Sequence, residues 1–143
     1  MNREETATDY FGRGYNCSQA VLVTFCEELG MNKEMALKIS TGFGGGMRKG
    51  EVCGAVTGAL MVLSLKYGHY IEGDTVSKAQ NYAITKEFQE KFKALNKTVQ
   101  CRELLGYDLS KADEMEVIKE KNLFAVVCPK MIQDAVRILE AMI

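Results

Sequence analysis

The residues of this chain best suited to chemistry are five cysteines, Cys17, Cys26, Cys53, Cys101 and Cys128. A thiolate is both a nucleophile and a soft metal ligand, so the questions are whether the surroundings favour ionisation and whether the sulfurs meet. An odd set of dispersed thiols argues against a framework of structural disulfides. There is no CxxC pair, so the spacings of zinc ribbons, thioredoxin-like sites and ferredoxins are absent. Spacing leaves three readings open: buried small hydrophobes, reactive thiols, or metal ligands.

The elements that must position these thiols are helical. The chain has one proline, no β-branched run of period two, and apolar residues recurring at three and four nearly throughout. The pattern predicts an all-α fold, one compact multi-helix bundle over residues 1–143, with no linker or repeat to divide it. A first helix is expected over about 3–11, before the glycines of GRG. The second opens NCSQAVL, with Asn16 as cap and Gln19 completing a capping box, and ends at Gly30. Asn32 caps a third, KEMALKISTGF. A central helix over about 49–67 is apolar almost all round and belongs in the middle of the bundle.

Asp74 caps a long fifth helix, with Val76, Ala79, Ala83, Phe88, Phe92 and Leu95 broadly on one face. The short turn CRELLG follows, then a polar helix over about 111–121 capped by Ser110. The last helix is expected to start at CPKMIQ, with Pro129 where a missing N–H costs nothing.

On these helices four thiols fall near helix starts: Cys17 after the Asn16 cap, Cys53 after Gly50, Cys101 opening CRELLG, and Cys128 before Pro129. Free backbone N–H groups and the helix dipole stabilise negative charge there, which favours thiolates. Cys26 differs, because nine residues from Cys17 is about 900° of helical rotation and places it on the opposite face. Flanked by Leu22 and Leu29, it reads as core filler.

The stretch GFGGGMRKGEVCGAVTG, residues 42–58, surrounds Cys53 with seven of the chain's thirteen glycines. It meets neither the Walker pattern GxxxxGK[ST] nor the dinucleotide pattern GxGxxG, which removes a phosphate cradle. Gly50, Gly54 and Gly58 recur at four, which predicts a smooth helical strip where another backbone comes close. Arg48 and Lys49, just before Cys53, could lower its pKa or balance an anionic group.

A net charge of −1 with interspersed signs gives no footprint for nucleic acid or an anionic membrane. Charged residues in the opening MNREETATDYFGRG replace the apolar run of a secretory signal, and the longest uncharged apolar stretch, Val52 to Leu65, is too short to span a membrane. The expected location is cytoplasmic. The single histidine, His69, follows a helix-ending glycine and reads as a surface residue. No CxxCH occurs, so covalent haem of the c type is excluded.

Taken together, Cys17 in NCSQAVL, the run from Gly42 to Gly68, CRELLG and Cys128 before a closing amphipathic helix resemble the C_GCAxxG_C_C family of putative redox-active proteins. The CGAxxG signature is present as Cys53, Gly54, Ala55, Val56, Thr57 and Gly58. The family's four cysteines fall on Cys17, Cys53, Cys101 and Cys128, leaving out Cys26. The family is similar to a domain of split-Soret cytochromes, which combines c-type haem with an iron–sulfur centre. The resemblance thus implies the cysteine site without the haem. It suggests an iron–sulfur cluster held by Cys17, Cys53, Cys101 and Cys128 for electron transfer, with Gly54 and Gly58 lending backbone N–H groups near the sulfurs.

A metal-free thiol–disulfide protein and a helical interaction module with packed cysteines are the rival readings. No reaction, substrate or redox partner protein is identified, and the ligands could come from one subunit or meet across a homodimer.

Overall fold

The computed structural model describes residues 1–143, and its eight α-helices without a β-strand make the fold all-α. They are α1 (Arg3–Gly12), α2 (Cys17–Cys26), α3 (Lys33–Ser40), α4 (Gly54–Tyr67), α5 (Thr75–Asn96), α6 (Cys101–Leu105), α7 (Ala112–Glu120) and α8 (Leu123–Met142).

Local signals set most helix starts. Asn2, Asn16, Asn32 and Asp74 each accept from a backbone N–H three residues on, at 2.8 to 3.0 Å. At Asn16 the box closes both ways, because Gln19 Oε1 accepts from the Asn16 N–H at 3.0 Å. Such caps are worth about 1 kcal/mol each. The Asn16 amide also donates to the Thr41 carbonyl at 2.9 Å, tying the start of α2 to the glycine segment.

α4 occupies the centre. Ala55, Val56, Ala59, Val62 and Leu63 are fully buried, and the helix packs against α2, α5 and α8. Its most extensive contact is with α2, at the face carrying Gly54 and Gly58. A Cβ on Gly58 would lie 2.6 Å from the Ser18 carbonyl oxygen, and one on Gly54 only 3.0 Å from the Ser18 nitrogen. These two glycines form the predicted close-approach strip.

Gly50 is not part of it. It precedes α4 with φ +68° and faces Asp108 and Arg102. The central helix therefore starts at Gly54 and not near residue 49, because Gly50 has positive φ, Glu51 is not helical and Val52 is held in a β-bridge with Gln100.

Three further expectations are corrected. α8 begins at Leu123, six residues before Pro129, so the proline lies inside the helix and Cys128 is far from its N-terminus. Pro129 cannot donate to the Ala125 carbonyl, but Ala125 is exposed, so water can satisfy that oxygen. On α5 only Phe88 and Phe92 are buried, while Val76, Ala79, Ala83 and Leu95 are exposed. Nine residues separate Ala79 from Phe88, about 900° of rotation, which puts Ala79 on the opposite side. Ser110 does not cap α7, because its hydroxyl donates to Asp108 Oδ1 at 2.6 Å.

No helix is long and apolar enough to cross a membrane.

The α2–α4 contact yields a stability test. Gly58→Ala should destabilise the fold by about 1–3 kcal/mol, since the added methyl meets backbone and not a yielding side chain. Gly12→Ala, at the end of α1 with open space around it, should stabilise by about 0.5–1 kcal/mol. Urea midpoints of the two variants against the parent chain measure both effects.

Candidate functional site

Cys53 and Cys101 are placed by a feature smaller than any strand. Val52 and Gln100 form an isolated antiparallel bridge, with the Cys53 N–H donating to the Val99 carbonyl at 2.7 Å and the Cys101 N–H to the Glu51 carbonyl at 2.6 Å. Side chains alternate along such a ribbon, so residues 53 and 101 leave it on the same face. Each then begins a helix: Cys53 caps α4 and Cys101 is the first residue of α6.

Cys17 is the first residue of α2. Its Cβ lies 3.1 Å from where a Cβ on Gly54 would stand, so the lack of a side chain at Gly54 lets Cys17 approach the start of α4. Cys128 arrives from α8 to line the same cavity as Cys17.

All four sulfur-bearing residues are at most 8% exposed, and all four line one cavity of about 280 Å³. Phe11, Tyr15, Leu104 and Phe124 add half-buried apolar wall. Gly54 lines the cavity too, whereas Gly58 lies one turn further along α4 under Ser18 and serves packing. Cys26, fully buried and donating to the Val23 carbonyl at 3.3 Å, takes no part.

Arg48 is the cation at this cavity. It sits in the left-handed segment at φ 61°, with Met47 at φ 55°, a conformation costing roughly 1–2 kcal/mol for each non-glycine residue. One guanidinium nitrogen donates to the Gly44 carbonyl at 3.3 Å. Lys49 does not line the cavity.

The electrostatics follow from crowding four thiols out of water. Burial pushes Cys53 up to about 12 and Cys101 up to about 11, the latter opposed in part by Arg48. The expected action of Arg48 on Cys53 is thus exerted on Cys101. Cys17 is raised well above the ordinary range, first by donating its proton to Cys128 and then by burial. The same hydrogen bond lowers Cys128, whose sulfur is the acceptor. The one thiol of the four that is lowered therefore lies in mid-helix and not at a helix start.

No three His, Cys, Asp or Glu side chains are arranged to hold a metal ion. The donor chemistry nevertheless suits soft metals and iron–sulfur clusters, and the four donors surround a shared volume.

The ribbon pairing residues 51–53 with 99–101 and the aromatic wall were not anticipated from sequence. The only signal was a valine close before each cysteine, in EVC and VQC, too short to carry a period.

The buried thiols make stability depend on pH. In metal-free protein the contribution of Cys53 is intact below pH about 9, the ordinary thiol value, because folded and unfolded chains both hold the proton. Above it the unfolded chain ionises first, so stability should fall by about 1.4 kcal/mol per pH unit until pH about 12. Denaturant titrations between pH 8 and 11, with Cys53→Ala showing a shallower decline, check this.

No curated protein and no solved structure matches the chain. A family model described as "Putative redox-active protein (C_GCAxxG_C_C)" matches residues 15–142, from just before Cys17 to the last turn of α8. The chain belongs to the C_GCAxxG_C_C family.

Proposed function

We propose that this protein is a small redox carrier in which Cys17, Cys53, Cys101 and Cys128 hold an iron–sulfur cluster. The observation that supports this reading most is the convergence of four buried thiols from four different segments on one cavity. Four cysteine ligands are the set such clusters take, and each sulfur binds the periphery of an inorganic core, so the ligands stand around a volume instead of closing on a point. A cluster, when bound, supplies one-electron transfer.

The chain's own residues have three tasks. They hold four deprotonated sulfurs out of water, which the raised values of Cys17, Cys53 and Cys101 make unfavourable without a cation. Backbone N–H groups opening α2 and α4 lie near the sulfurs and can donate toward them. Arg48 adds positive charge on the side of Cys101. No substrate reaction is assigned.

A second reading has its own observation: Cys17 and Cys128 lie close enough that each thiol shifts the ionisation of the other. The Cys128 thiolate would attack one sulfur of an incoming disulfide and release the other as thiolate. Cys17, after losing its proton, would then attack the Cys128 sulfur and expel the second thiolate. The pair loses two electrons and becomes a disulfide, and the incoming disulfide gains them as two thiols.

Anaerobic purification with a visible spectrum, iron and acid-labile sulfide analysis separates the two. The cluster reading expects a coloured protein with stoichiometric iron and sulfide. Most of it should be lost in Cys17→Ser, Cys53→Ser, Cys101→Ser and Cys128→Ser but kept in Cys26→Ser. A colourless protein that loses two thiols on oxidation, with the disulfide mapped to Cys17 and Cys128, supports the second reading and overturns the first.

A further inference from the structure

The cavity extends from the sulfurs outward. The four cysteines are its buried end, the half-buried Phe11, Tyr15, Leu104 and Phe124 its walls, and the exposed Arg48 its mouth. A cavity of about 280 Å³ lined mostly by apolar groups, with Arg48 as its one charged side chain, has the character of a small-molecule site.

Arg48 does more than set positive charge beside Cys101. Its only side-chain hydrogen bond within the chain goes to the Gly44 carbonyl, and no carboxylate pairs with it. Yet the chain keeps an arginine at a left-handed position where glycine would be unstrained. Local strain at a cavity mouth marks a side chain held for what it meets there. A guanidinium with free donors, beside aromatic walls, matches a carboxylate on an apolar body.

We infer that the outer part of this cavity binds a small carboxylate with an apolar or aromatic body, anchored by Arg48 and packed against Phe11, Tyr15 and Phe124. The site stands whether or not the sulfurs hold a cluster, since its recognition groups are not the cysteines. Bound there, such a molecule would cover the buried sulfurs and limit access of water to them.

The probe is 3-phenylpropanoate, with its neutral amide as control, titrated into anaerobically purified protein and followed by amide chemical shifts. The iron content of the same sample is measured, so that failure of the cluster reading is seen separately. Saturable shifts at residues 45–48 and around Phe124 are expected for the carboxylate, with the amide at least about tenfold weaker. Arg48→Asn, which suits left-handed backbone and removes the charge, should bring carboxylate and amide to the same affinity. Phe124→Ala should weaken both, with thermal unfolding confirming that it folds. Absence of carboxylate binding, equal binding of carboxylate and amide by the parent protein, or an unchanged preference in Arg48→Asn overturns the inference.

Discussion

The site depends on how closely α2 and α4 can approach. Gly54 and Gly58 remove the side chains that would stand against the Ser18 backbone, and the start of α2 settles onto the start of α4. Cys17 is the first residue of one helix and Cys53 the cap of the other, so this contact places two of the four sulfurs together. A methyl group at either glycine would separate both the backbones and the thiols.

The other two sulfurs are brought in by different means. A single bridge fixes Cys101 beside Cys53, and α8 crosses the bundle to deliver Cys128 to Cys17. The energetic consequence is a buried, mutually repelling set of acids, with three thiols raised and one lowered at its neighbour's expense. Such a set is stable with its protons on. In the proposed function a metal centre would replace those protons.

Much of this was legible in the sequence because it was written locally. The Asn16 and Gln19 box, the Asn32 and Asp74 caps and the all-round apolar face of α4 each act within a few residues, and each is present. The separation of Cys26 from Cys17 followed from helical rotation alone. What was illegible depends on tertiary contact. Pro129 looked like a helix start, but tertiary packing carries α8 back to Leu123. The glycines before Arg48 begin a left-handed segment that turns Arg48 to the cavity, which their spacing does not reveal. The bridge that aligns Cys53 with Cys101 joins residues 48 positions apart, from 52 to 100, and no periodicity announces it.

The central claim, that sulfurs from four segments serve one centre, is tested most directly by X-ray absorption at the iron edge of anaerobically purified protein. The account predicts a first shell of sulfur alone with a short iron–iron distance beyond it, retained in Cys26→Ser. A shell of oxygen or nitrogen donors, or no bound iron at all, would contradict it.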